Sequence, residues 1–174
     1  SKEEIRIFRQ RVVENILSTD MSSHSKVVSA FKYQIDCVQD KKDDNTLLYR
    51  FLEAEDKQTR FKNEQTLTSF LIHCCDTSNP AKPFSISKRW AEKALQEFFH
   101  QGDVEKKEGL PVSFMCDRST VNMSTSQIGF ASNIVLPMFK LLTQFGSELG
   151  IFQKRTEDNI ETWRKIEMEN TPNI

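Results

Sequence analysis

The sequence predicts an all-α, compact multi-helix domain, and three observations point the same way. Apolar residues recur at spacings of three and four along most of the chain, the period that lines one face of a helix. No segment shows a convincing two-residue alternation of the kind that marks a half-buried strand. Thirteen Phe stand against only five Gly and five Pro, which favours helices packed through aromatic rings over a loop-rich scaffold.

Ser1-Lys2-Glu3-Glu4 opens as a helix start and not as a signal peptide. Ile5, Phe8, Val12, Val13, Ile16 and Leu17 form a first apolar stripe, which the cap-type residues Ser18-Thr19-Asp20 interrupt. Val27, Val28, Phe31, Ile35 and Val38 form a second. Asp40 to Asn45 reads as a solvated loop, and the pattern from Leu47 to Arg60 is ambiguous. Leu67, Phe70, Leu71 and Cys74 mark a third helix that ends at Asp76. Pro80 and Pro83 bias the residues before them away from helix, so an extended segment is expected there. Trp90, Ala94, Leu95, Phe98 and Phe99 mark a fourth helix, expected to close at Gly102. Asp103 to Thr120 is polar, punctuated by Gly109-Leu110-Pro111, and reads as an ordered loop. Ile128 to Leu142 is a strongly apolar helix with a kink expected at Pro137. Thr156 to Ile166 carries a final amphipathic segment around Ile160 and Trp163.

Length and charge narrow the functional classes. At 174 residues one domain is expected. A net charge of -1, with acidic and basic residues interleaved, argues against a nucleic-acid partner. No apolar run approaches the roughly 20 residues that span a bilayer, so no membrane span is expected. Cys37, Cys74, Cys75 and Cys116 lack paired spacing. The adjacent pair reads as small buried hydrophobes, in a reducing, intracellular and cytoplasmic setting.

Three clusters could line a site. Asp76 stands at the end of an apolar helical stretch, directly before Thr77-Ser78-Asn79-Pro80. Helix packing on one side and turn chemistry on the other would hold a metal-ligating carboxylate still, although Asp before Ser-Asn-Pro is also ordinary helix-exit sequence. Asp76 with Asn79 is the first cluster, and Phe98-Phe99 with Gln101 the second. The third is Ser126 to Phe130, where Gln127 and Phe130 share a helix face. The amide offers donors and an acceptor to a heterocycle edge while the ring clamps its face. The plain alternative is a Gln at a helix start with a core Phe one turn later.

Together with Ile16 to His24, H-C-C-D-T-S-N-P-A-K-P at His73 to Pro83, E-F-F-H-Q-G-D at Glu97 to Asp103, G-L-P-V-S-F-M-C-D-R at Gly109 to Arg118 and S-Q-I-G-F at Ser126 to Phe130, the chain resembles the C-terminal half of the catalytic domain of the class I 3′,5′-cyclic nucleotide phosphodiesterases. The final Glu157-Asp158-Asn159 with Trp163 fits the same family. Gly109 to Phe130 looks most like the calcium/calmodulin-stimulated branch, and Asn79-Pro80 more like the cAMP-selective branches. The resemblance implies the downstream half of the HD-type helical catalytic fold, with residues 1–174 a partial catalytic domain. It implies signal-transduction chemistry, in which a metal-bound hydroxide opens the cyclic phosphate to a 5′-monophosphate. By the same resemblance Asp76 is a ligand of a tightly held zinc, with magnesium or manganese as the second ion. Gln127 hydrogen-bonds the purine and Phe130 stacks on it. Asn79, Met21, Phe98 and Met115 line the nucleotide pocket, and Ala94 replaces a larger aliphatic clamp.

The same sequence lacks the rest of that machinery. His24, His73 and His100 are its only histidines, and neither an H-N-x-x-H nor an H-D pair occurs. His73 is expected to be a core or supporting histidine. One carboxylate cannot hold a zinc ion that takes four ligands, so the chain alone, without a general-acid histidine, is expected to be inactive. The preferred reading is part of a hydrolase whose metal-binding half lies outside this chain. A catalytically dead phosphodiesterase-like scaffold or interaction module, or a nucleotide sensor, are the alternatives. The expected partners are a cyclic nucleotide and either the missing N-terminal half or a protein covering the apolar faces, which predicts exposed hydrophobic patches. cAMP is favoured over cGMP through Asn79, whose amide can accept from and donate to an adenine edge, although Gln127 can turn to admit guanine.

Overall fold

The computed structural model describes residues 1–39, 52 and 56–170. They fall into two compact units, one of the described residues within 1–77 with 141–149, the other of residues 78–140 and 150–170. The described residues contain helices and no strand, and none of those helices is long and apolar enough to cross a membrane. The expected loop at Asp40 to Asn45, most of the ambiguous stretch from Leu47 to Arg60 and the Val38 side chain lie outside the described residues.

In the first unit, α1 (Lys2–Ser18) begins with a capping box in which the Ser1 hydroxyl accepts from the Glu4 amide and the Glu4 carboxylate reaches back to the N-terminus. It ends where expected. The Thr19 hydroxyl bonds the Ile16 carbonyl at 2.8 Å, and Asp20 accepts from the Ser22 amide to cap a short 3-10 turn, Met21–Ser23. Helix α2 (His24–Gln39) lays Phe31 on Phe70 of α3 (Lys57–Asp76), with centroids 3.7 Å apart and nearly parallel rings. Phe145 stacks on Phe31 at 5.2 Å. Helix α3 starts earlier than its apolar stripe because Asp56 caps the amides of Gln58 and Thr59.

The seam between α1 and α3 is polar. Arg11 pairs with Glu64 and lies 4.3 Å above the Phe61 ring. The Gln65 amide donates to Asn15 at 2.8 Å and to Ser69 at 3.0 Å. The apolar stripe of α1 therefore points outward, with Phe8 69% and Ile16 63% exposed.

The second unit has an apolar core. Ala91 and Leu95 of α4 (Phe84–Lys107) are buried, as are Ile160 and Trp163 of α7 (Gly150–Asn170). Phe84 meets Trp163 edge-on at 5.1 Å. Between α4 and α7 lie α5 (Met123–Phe130), a five-residue π-helix (Ala131–Val135) and α6 (Leu136–Leu142). The π turn stands just before Pro137, which has no N–H to give to the carbonyl one turn back. The expected irregularity is therefore a π turn in an otherwise continuous helical run.

Several expectations need correction. Asn79–Ala81 is a 3-10 turn and not an extended segment, since proline suits a first helical turn. Its carbonyls are satisfied by buried Asn159, which donates to Pro80 at 2.7 Å and to Lys82 at 2.8 Å. Helix α4 does not close at Gly102. That glycine is buried inside it because a Cβ there would stand 2.0 Å from the Cys116 carbonyl oxygen. The helix ends instead at Lys107, two residues before Gly109, which has φ of 70°; there the Leu110 amide bonds the Glu105 carbonyl and the Gly109 amide bonds that of Lys106. Of the adjacent cysteines only Cys74 is buried and Cys75 is exposed. Burial pushes the Cys74 thiol up to about 12.

Candidate functional site in the second unit

A cavity of about 620 Å³ opens in the second unit between α4, α5 and the loop that joins them, within the range of small-molecule pockets. Gln127 and Phe130, one turn apart on α5, both line it, as do Asn79, Phe98 and Met115. Helix α5 is set by Asn122, whose side chain accepts from the Thr125 amide at 3.0 Å. Ala94 and Phe98 both line the cavity from α4. The Asn79 Oδ1 atom is buried without a hydrogen-bond partner, a desolvated acceptor on a residue that lines the cavity.

The loop between α4 and α5 is held under strain. Met115 has φ of 67°, a left-handed backbone that costs a side-chain-bearing residue about 1–2 kcal/mol. Contacts on both sides keep it there. The Glu105 carboxylate accepts from the Ser113 amide at 2.7 Å and from its hydroxyl at 2.6 Å. Lys106 pairs with Asp117 at 2.9 Å, and Arg118 pairs with Asp103 while lying 5.4 Å over the Phe99 ring. The hydroxyl of Ser119, then Lys106 and the Ser119 amide, hold the Asp117 carboxyl well below the usual carboxylate range. Hydrogen bonds from Ser113, then Gln101, likewise lower Glu105.

This arrangement dissolves the expected cluster of Phe98-Phe99 with Gln101. Only Phe98 reaches the cavity, Phe99 supports Arg118, and Gln101 donates to Glu105 at 2.8 Å. The sequence reading missed Phe114, which is 92% exposed yet lines the cavity mouth. An aromatic residue beside Met115 in a polar loop was the available signal. It also missed Thr125, Asn133 and Ile134, whose types carry no distinguishing chemistry.

Met21 and Asp76 belong to the first unit. Met21 opens the 3-10 turn before α2 and is half-exposed, and Asp76 is the exposed last residue of α3. His73, one turn before Asp76, is fully buried, and its Nε2 is occupied by His24 Nδ1 at 3.0 Å. Among the described residues no group of three His, Cys, Asp or Glu side chains could hold a metal ion. The donors present therefore do not fit a complete metal centre.

Comparison with known proteins gives these features a family context. Residues 1–155 match the family model described as 3′5′-cyclic nucleotide phosphodiesterase. The chain is 36% identical over 137 residues to a probable 3′,5′-cyclic phosphodiesterase, pde-1, of Caenorhabditis elegans, covering 79% of this chain and 18% of that protein. It is 36% identical over 132 residues to mouse 3′,5′-cyclic-AMP phosphodiesterase 4C, covering 76% and 18%. It is also 34% identical over 145 residues to the mouse high affinity cGMP-specific 3′,5′-cyclic phosphodiesterase 9A, covering 82% and 23%. Among solved structures, the phosphodiesterase domain of Salpingoeca rosetta rhodopsin phosphodiesterase superposes with a TM-score of 0.78 at 26% identity, over 97% of this chain and 47% of that one. The chain thus spans between 18% and 23% of the length of these curated relatives and about half of the solved domain.

Proposed function

The chain belongs to the 3′5′-cyclic nucleotide phosphodiesterase family, and from that premise we propose that its second-unit cavity holds the purine of a 3′,5′-cyclic nucleotide. Phe130 stacks on the base, Gln127 reads its edge, and Phe98 and Met115 close the sides. Asn79 offers an amide that can both accept from and donate to an adenine edge, which favours cAMP over cGMP. Relatives named for each nucleotide match this chain, so the preference rests on Asn79. The complete protein opens the cyclic phosphate to a 5′-monophosphate; this chain supplies the purine pocket and, by family resemblance, Met21 as a further nucleotide contact and Asp76 as one carboxylate of a zinc and magnesium (or manganese) site.

The described donors do not complete that metal site, so the hydrolytic step needs ligands beyond them, and the chain alone does not hydrolyse the substrate. The rest of the catalytic domain, or a protein partner, covers the outward apolar face of α1. The supporting observation is one cavity lined together by Gln127, Phe130, Asn79, Phe98 and Met115.

Calorimetric titration with cAMP, cGMP and 5′-AMP tests the reading. Phe130→Ala is expected to weaken binding by about tenfold or more, in line with the 1–3 kcal/mol that base–aromatic stacking contributes. Asn79→Ala should narrow the gap between cAMP and cGMP. Binding that ignores both substitutions would remove the cavity as the nucleotide site. The incomplete donor set favours one second reading, a catalytically dead scaffold, and absence of any nucleotide binding would support it.

A further inference from the structure

His24 and His73 are 49 positions apart in sequence, and their rings meet in the first unit. Nδ1 of His24 and Nε2 of His73 are 3.0 Å apart, with ring centroids at 5.2 Å and planes tilted by 44°. At that separation one proton lies between the two nitrogens, so one ring donates and the other accepts. Each histidine is also joined by its backbone to a residue of the proposed site. The His24 amide donates to the Met21 carbonyl. The His73 carbonyl accepts from the Thr77 amide at 3.1 Å and from the Thr77 hydroxyl at 2.8 Å, which brackets Asp76 between its two ends.

The pair is a poor device for stability alone. His73 is fully buried and its Nδ1 makes no well-formed hydrogen bond, although the Ser18 backbone lies against the ring, a desolvation cost that two apolar side chains of similar shape would avoid. What the pair adds is direction, because a ring-to-ring hydrogen bond fixes two backbones in one register where apolar packing tolerates sliding. We propose that His24 and His73 are positioning residues whose hydrogen bond clasps the Met21 turn to the last turn of α3, so that Met21 and Asp76 are held in one fixed relation. The importance of that relation rests on the roles proposed above for those two residues. Neither histidine acts on substrate.

Amide protection measured by NMR on the nucleotide-free chain tests the clasp. Two amides report on its two sides, Ser23, bonded to the Asp20 carbonyl at 2.9 Å, and Thr77. His24→Leu keeps the bulk and removes the hydrogen bond, and both amides should lose about tenfold protection together, the equivalent of one net hydrogen bond. His24→Asn places an amide nitrogen near the lost Nδ1, and protection should return to within about twofold of the parent. A merely structural histidine would not be rescued in this way. The parent should also show one ring N–H signal that correlates with both His24 and His73, with exposed His100 as the internal reference. Loss at Ser23 alone, equal behaviour of the Leu and Asn variants, or absence of the shared ring signal would each overturn the clasp. A failed cyclic-nucleotide titration with coupled protection intact would count against the cavity reading and leave the clasp standing.

Discussion

The two units use the same apolar periodicity in opposite ways. In the second unit the apolar faces of α4 and α7 turn inward around Leu95, Ile160 and Trp163, and charged pairs such as Lys106–Asp117 lie toward the surface. In the first unit α1 turns its polar face to α3 through Arg11, Asn15 and Ser18, and leaves Ile5, Phe8, Ile16 and Leu17 outside. A stripe at helical spacing shows that a helix has an apolar face. It does not show whether the covering layer comes from the same unit. A helix that hydrogen-bonds through one face and exposes apolar surface on the other has room for contacts on both sides.

The largest expected effect falls in the second unit. Gly102→Ala sets a methyl 2.0 Å from the Cys116 carbonyl oxygen, and backbone must move because no flexible side chain is there to yield. A loss of about 3 kcal/mol or more is expected by urea unfolding, at the upper end of overpacking penalties. The displaced Cys116 carries Met115 with it, so the same variant should weaken cyclic-nucleotide binding. Unchanged stability would show that the close approach of the loop to α4 is not a constraint.

An intermediate effect separates the units by pH. Burial, then the charge of His73, lowers His24, and burial lowers His73 against the opposing influence of the Ser18 backbone and Asp76. The folded chain thus takes up protons less readily than the unfolded one, whose histidines titrate near about 6.5. The first unit should be most stable above that pH and weaken as pH falls below it. In the second unit Asp103, Glu105 and Asp117 are lowered by their hydrogen-bonded partners. Their contribution is present above the usual carboxylate range, is lost as pH falls through the lowered values, and is kept small by solvent screening. Amide exchange followed from pH 7.5 downward, with one set of amides in each unit, should show the first unit loosening earlier. Simultaneous loosening would contradict this assignment.

The smallest effect sharpens the contrast most. Phe8→Gln with Ile16→Gln alters two outward positions of α1, and the stability of the chain should change by no more than about 0.5 kcal/mol per site. Self-association, followed by sedimentation, should fall. A loss of several kcal/mol would mean that this face is already covered within the chain.

Much of the candidate cavity was legible because its pattern is local. Gln127 and Phe130 are one helical turn apart, so their shared face follows from spacing, and both line the cavity with Asn79, Phe98 and Met115. The end of α3 at Asp76 was equally legible from its exit residues. Gly102 was misread as a terminator because glycine often ends a helix, and the carbonyl that requires it belongs to Cys116, fourteen positions along the chain. Gln101 and Phe99 were misassigned because their partners, Glu105 and Arg118, are set by how the loop folds back.

The sequence by itself determined the all-helical class, the amide–ring pair and the family, since each depends on near neighbours or on the order of short motifs. Only the tertiary structure decided which face of α1 is covered, which residues close the cavity and that His24 meets His73. Those outcomes depend on contacts between distant segments, and one polar or apolar pattern is compatible with many such pairings until packing selects one.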